Sequence, residues 1–331
     1  MMDNLTERVR QAALQAGADL VGFAPISRFE NAPPDQHPQG IFPQTKTVVV
    51  VATRKLRGTL KTVEEGTYWQ GYNADSYAYP SWDLSVLILR SIIRLLEDEG
   101  YTSVPIHNPF MANVGRKTRP EHLTGPDANM SLRTVGVAAG LGEFGHSKLV
   151  LTPEFGPRQR FFAALTDAEL EPTPLFTGKI CDGCMACVRE CEACAIGKER
   201  TEKVVIEGQE YSHAPLDLEA CSKVHNGRDP RFSPFFTGKE KAGEDPDYNK
   251  FVMHSFKVMG ICVGRGCMRA CLDHLEKTGR IKSGYKTPII DKPRWKFNEA
   301  PDKQTEATEV ADDGAHNLDG YFNNDAKDKK D

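Results

Sequence analysis

Small apolar residues at Val9, Ala12, Ala13 and Ala16 recur at the spacing of one helical face, and Gly17 ends the pattern. The run Leu20-Val-Gly-Phe-Ala24 that follows predicts a short buried strand. After a proline-marked loop from Pro33 to Pro43, the unbroken β-branched segment Thr47-Val-Val-Val-Val-Ala52 predicts a strand covered on both faces. Leu84, Leu87, Ile88, Ile92, Leu95 and Leu96 then fall at helical spacing, which predicts a long helix over residues 82–99, stopped by Gly100. Residues 103–106, 149–151 and 161–166 read as further strands, and 132–140 as a helix rich in small residues. Alternation of this kind predicts a layered α/β (α+β) core.

Polar sequence divides that core from the rest of the chain. Residues 111–129 read as a loop and 167–178 as a linker, while 205–221 and 226–250 read as polar, proline-dotted insertions. Beyond Pro293 the chain is rich in Lys, Asp, Glu and Asn, with too few apolar residues to offset its ordering entropy. The expected organisation is an α/β domain over 1–172, a second domain over 173–290 and a disordered polar tail over 291–331.

Charge and composition narrow the function classes. A formal charge of −4 over 331 residues gives no bulk reason to expect nucleic-acid or membrane binding. No apolar run reaches the length that crosses a bilayer. The N-terminal sequence is a polar amphipathic pattern without an apolar signal core or paired arginines, so a cytoplasmic location with reduced thiols is expected.

Chemistry enters with cysteine. All 9 cysteines fall between Cys181 and Cys271. Cys181-Asp-Gly-Cys184-Met-Ala-Cys187-Val-Arg-Glu-Cys191 has the C-x2-C-x2-C-x3-C spacing of a bacterial ferredoxin, whose fourth cysteine reaches a second cluster. Cys221, Cys262, Cys267 and Cys271 supply further thiols, so two [4Fe–4S] clusters are expected. Structural zinc sites favour two separated C-x2-C pairs and fit this spacing less well. Ferredoxin-type cross-ligation would pair Cys181, Cys184 and Cys187 with Cys271, leaving Cys191, Cys221, Cys262 and Cys267 for the other cluster. Cys194 stands in Cys191-Glu-Ala-Cys194-Ala-Ile, where ferredoxins carry a non-ligand, and is read as spare; its replacing Cys221 is the competing reading. The glycine run Gly140-Leu-Gly142-Glu-Phe-Gly145 has the spacing of a dinucleotide-binding turn, but it follows a helix where that turn should follow a strand.

The block Ala138-Ala-Gly-Leu-Gly-Glu-Phe-Gly-His-Ser-Lys-Leu-Val-Leu-Thr-Pro-Glu-Phe-Gly-Pro-Arg-Gln-Arg160, followed by Leu165-Thr-Asp167 and the cysteine run, resembles the corrinoid-dependent reductive dehalogenases and their relatives, the epoxyqueuosine reductases. Ala18-Asp-Leu-Val-Gly-Phe-Ala24, Phe42-Pro-Gln-Thr-Lys-Thr-Val-Val-Val50 and Glu99-Gly-Tyr-Thr-Ser-Val-Pro105 support the resemblance in the same order. It implies a nitroreductase-like domain that holds a base-off cobamide, followed by a ferredoxin-like domain with two clusters. Within that scheme Gly140, Gly142, Phe144 and Gly145 become candidate cofactor-binding residues. Tyr79, with Tyr77 close behind it, becomes the candidate proton donor, assisted by His146 or Lys148. The implied partners are an electron donor (reduced ferredoxin, flavodoxin or a reductase) and a small organic substrate. Two alternatives remain open: a corrin-free electron-transfer protein of the same fold, and an epoxyqueuosine reductase. Against the second, Pro105-Ile-His-Asn-Pro109 stands where the catalytic aspartate of those enzymes would lie.

Overall fold

Thr47–Arg54 forms the central strand β2 of a four-stranded sheet, because its β-branched side chains have apolar cover on both sides. The computed structural model describes residues 4–34, 36–107, 130–225, 260 and 263–289. β1 (Leu20–Pro25), β3 (Ser103–Ile106) and β6 (Gln159–Thr166) complete the sheet in the order β1-β2-β6-β3, with every neighbouring pair antiparallel. Val49 and Val51 face one layer, together with Val21, Phe23, Phe162 and Ala164. That layer is closed by α1 (Leu5–Gln15) through Val9 and Ala13, and by α3 (Ser85–Asp98) through Ile88, Leu89, Ile92 and Leu96. Val48, Val50 and Ala52 face the opposite layer, against Val135, Val137 and Ala138 of α4 (Leu132–Ala138). The predicted two-sided strand is therefore present, in a three-layer α+β arrangement.

The long helix begins earlier than its apolar spacing predicts. Two π-helical stretches, Tyr72–Ala78 and Pro80–Leu84, run into Ser85–Asp98. Wider π turns shift the side-chain period, so a 3.6-residue template misses them. Both candidate tyrosines lie on or beside the first stretch.

Residues 205–221, expected as a polar insertion, are corrected by the structure. They contain most of a hairpin, β7 (Glu202–Ile206) paired with β8 (Gln209–His213), and the start of α6 (Leu218–His225). Glu207 and Gly208 both take positive φ, 52° and 74°, as a two-residue hairpin turn requires. Ile206 and Tyr211 then pack into the α4 layer, which gives this polar-looking segment its anchor.

The last described helix, α7 (Cys267–Lys277), docks on α2 (Arg57–Glu65). Arg57 binds Glu276 through both carboxylate oxygens at 3.0 and 2.8 Å, and Arg269 Nε meets Glu64 at 2.7 Å. Residues on both sides of position 172 lie in one compact unit, Met1–Phe297. The predicted loop at 111–129, the insertion at 226–250 and the polar tail at 291–331 lie outside the described residues. Among the described residues no helix is long and apolar enough to cross a membrane.

Candidate metal centre

The cysteine run is held at its start by the glycine block. Glu143, in the short strand β4 (Glu143–Phe144) that pairs with β5 (Val150–Leu151), accepts the backbone N–H groups of Ile180 and Cys181 on one carboxylate oxygen at 2.6 Å each. Asp182 then accepts the Cys184 N–H at 3.1 Å, and Gly183 and Met185 take positive φ, so the chain turns tightly between ligating positions. The one-turn helix α5 (Ala186–Arg189) brings in Cys187, α6 brings Cys221, and α7 brings Cys267 and Cys271 four residues apart on one face.

Electrostatics sort these thiols into two sets. Burial raises the Cys187 thiol, with Cys181 and Cys184 adding to the rise and the Ser147 side chain opposing it. Burial, followed by Cys187, Cys181, Cys184 and Cys267, holds Cys271 well above the ordinary thiol range. Cys267 is pushed up to about 12 by burial and then by Cys191, Cys221 and Cys187. Burial also raises Cys221, where Arg133 opposes and Cys191 adds. Cys181, Cys184, Cys187 and Cys271 line one small cavity, while Cys191, Cys221 and Cys267 influence one another, with Cys267 also within reach of the first group. Cys262 lies outside the described residues. Crowded buried thiols give up their protons when a cation binds among them, so this donor set fits an iron–sulfur centre. Cys194 is exposed, has a φ of 49°, and adds to the shift of none of the raised thiols.

Besides Ser147 and the Val188 N–H at Cys187, two further donors among the described residues approach sulfurs. The Ala195 N–H lies 3.4 Å from Cys191 Sγ, and Arg200 Nη1 lies 3.8 Å from Cys181 Sγ. Arg200 is fixed there by the carbonyl of Phe144 at 3.0 Å and by both the hydroxyl and the carbonyl of Ser212. Spacing alone could not have found Arg200 or Glu143, because their partners come from other segments.

The remaining sequence candidates are distributed as follows. A Cβ on Gly140 would lie 2.1 Å from the Pro174 carbonyl oxygen, and one on Gly142 would lie 2.0 Å from that of Leu151. Gly145 abuts Leu149 and Leu151, and Phe144 is a core residue at 1% exposure, edge-on to His213. In this structure the four residues are turn and core positions filled by the chain's own backbone. His146 is buried, with Nε2 2.9 Å from the Gly197 carbonyl, and its own carbonyl accepts the Ala214 N–H. It lines a small cavity with Cys181, Cys184, Cys187 and Cys271, on the thiol side of the glycine block. Lys148 is lowered from its usual range by burial and then by Arg133.

Tyr77 and Tyr79 differ sharply. Tyr79 is 48% exposed, whereas Tyr77 is 5% exposed and has the Arg160 guanidinium 4.0 Å above its ring. Arg160 also donates to the Ser76 carbonyl at 3.3 Å. Asn73, one turn before Tyr77, is buried with neither amide atom hydrogen-bonded among the described residues. A buried primary amide without partners is uncommon and suits a polar ligand. Arg133 is lowered by burial, with Cys221 and Cys267 opposing and Arg160 adding, so it lies within electrostatic reach of both thiols and of Arg160.

No family model matches the chain. The tetrachloroethene reductive dehalogenase of Desulfitobacterium hafniense is 35% identical over 130 residues, which cover 36% of this chain and 23% of that protein. Over that stretch the chain is similar to the reductive dehalogenases. The tetrachloroethene reductive dehalogenase of Sulfurospirillum multivorans matches over a longer stretch, 26% identical over 227 residues, or 58% of this chain and 40% of that one. Among solved structures, the catabolic reductive dehalogenase NpRdhA superposes with a TM-score of 0.51 at 17% identity, covering 87% of this chain and 40% of its own. This chain therefore spans less than half the length of the reductive dehalogenases it matches, and those homologues are oxidoreductases.

Proposed function

We propose that the chain is a reductase of the reductive-dehalogenase type that passes electrons through two [4Fe–4S] clusters to a cobamide, for the reduction of a small organic substrate. The observation that carries this reading is the convergence of two separate thiol sets from the cysteine run, α6 and α7. When bound, the clusters supply single electrons at low potential, and the cobamide supplies a cobalt centre able to reduce an organic acceptor.

The residues' own parts follow from their positions. Cys181, Cys184, Cys187 and Cys271 would hold one cluster, and Cys191, Cys221 and Cys267 the other with Cys262. Tyr77 would hold the proton, because a phenol that donates needs a cation beside it afterwards and Arg160 lies on its ring. Asn73 would meet the polar fringe of the cobamide or the substrate with its unpartnered amide. The closed glycine block supports a second reading, a corrin-free electron carrier, since the space beside Gly140 and Gly142 is taken by backbone.

Anaerobic reconstitution separates these readings. About eight iron atoms per chain, together with cobamide absorption bands retained through gel filtration, are expected. Full iron with no retention of any added cobamide would leave the carrier reading. Cys194→Ala is expected to keep all the iron, whereas Cys184→Ala and Cys267→Ala each lose one cluster's share; half the iron lost from Cys194→Ala would overturn the ligand sets.

A further inference from the structure

The two thiol sets differ in surroundings. In the second set Cys267 is held deep in the interior on α7, whereas the Cys181–Cys184 loop is at the surface, with Asp182 and Gly183 exposed. Three guanidinium groups rest directly on that loop. Arg189 donates to the Cys184 carbonyl at 2.8 Å, Arg200 approaches Cys181 Sγ at 3.8 Å, and Arg280 lies 3.3 Å from Asp182. Lys179 is exposed two residues before Cys181, and its carbonyl accepts from Arg280 at 3.5 Å. Its ammonium makes no hydrogen bond or ion pair among the described residues. The loop's one carboxylate, Asp182, is already engaged by His274 Nε2 at 2.8 Å and by Arg280. The exposed carboxylates of Glu190 and Glu199 make no hydrogen bond to the loop among the described residues.

A chain of net charge −4 thus gathers four cationic side chains around a surface loop that holds two half-buried thiols. Such a field does little for folding. It raises the encounter rate of a negatively charged partner and repels cationic ones.

We propose that the Cys181–Cys184 loop is the electron-receiving face of the protein, and that Lys179, Arg189, Arg200 and Arg280 receive a small acidic one-electron carrier protein. The inference rests on the cluster reading above. One electron leaves the carrier and one arrives at the centre held by Cys181, Cys184, Cys187 and Cys271; no bond breaks and no proton needs to move.

The test uses the full chain after anaerobic reconstitution. Stopped-flow reduction is followed with a small acidic ferredoxin and, separately, with photoreduced deazariboflavin, a neutral small reductant. The Lys179→Glu/Arg189→Glu variant is expected to slow reduction by ferredoxin at least about tenfold at low salt, to narrow that gap in about 1 M salt, and to leave the deazariboflavin rate unchanged. An unchanged ferredoxin rate with full iron content overturns the proposal, as does equal slowing with both reductants. If Arg189→Glu sheds iron, Lys179→Glu alone decides: slowing with ferredoxin supports the proposal and an unchanged rate overturns it. A parent protein that takes up no iron, or that deazariboflavin cannot reduce, refutes the cluster reading instead.

Discussion

Removing the Glu64 carboxylate should damage the centre from a distance. Glu64 and Arg269 are 3% and 9% exposed and meet at 2.7 Å, joining α2 to α7. With charge centres about 4 Å apart and an effective dielectric near 20, their attraction is about 4 kcal/mol. Loss of the carboxylate also takes away an ion-pair partner from a guanidinium held in the interior, and buried pairs broken in this way cost about 3–5 kcal/mol. Glu64→Ala should therefore remove a sizeable part of a stability that for most domains is about 5–15 kcal/mol. Helix α7 supplies Cys267 and Cys271, one thiol to each set, so iron should be lost from both centres together. Glu64→Leu combined with Arg269→Met, which removes both charges of the pair, should recover most of the loss. Anaerobic guanidinium unfolding followed by circular dichroism, with iron counted in parallel, measures both effects. A loss below about 1 kcal/mol, or a double variant worse than Glu64→Ala, would refute the reasoning.

Other consequences can be checked independently. Tyr77→Phe should abolish turnover with iron retained while Tyr79→Phe stays active; the opposite pattern moves the proton donor to the exposed ring. Glu143→Ala leaves the Ile180 and Cys181 amides without their acceptor, at about 1–3 kcal/mol each, and should lower iron retention in the first set; full retention would show the grip to be incidental. Burial holds His213 below the usual imidazole range, so the unfolded chain takes up its proton first. Its contribution to stability is complete above a pH of about 6.5 and is lost as pH falls from there toward the lowered folded value. Unfolding at pH 7.5 and 5.5 should show less of this dependence in His213→Leu, and identical profiles would exclude the residue as a source.

What was legible in the chain was what repeats locally. The two-sided burial of Thr47–Arg54 follows from four consecutive valines, which leave no polar face to expose. The nearness of Cys181, Cys184 and Cys187 follows from their spacing, because cysteines with two residues between them constrain the turn that joins them. The β7–β8 hairpin escaped because only Ile206 and Tyr211 are strongly apolar there, although Glu207-Gly208 is a turn signal in retrospect. The π-helical stretch under Tyr77 has no composition of its own. Neither the stacking of Arg160 on Tyr77 nor the docking of α7 on α2 could be read in advance, since each joins residues far apart in sequence.

The contribution of α7 to both thiol sets also sets an order of assembly. Cys271 lies 90 positions after Cys181, and Cys267 lies 76 after Cys191, so with the proposed ligand sets neither centre could close before α7 is made. Cofactor loading must wait for synthesis to pass α7 and for that helix to settle on α2. Until then the early cysteines are open thiols with nothing to share, exposed to oxidation or to the wrong metal. The two ion pairs that seat α7 are in this sense a latch on maturation, and the half-made protein is the form that most needs an anaerobic and chaperoned environment.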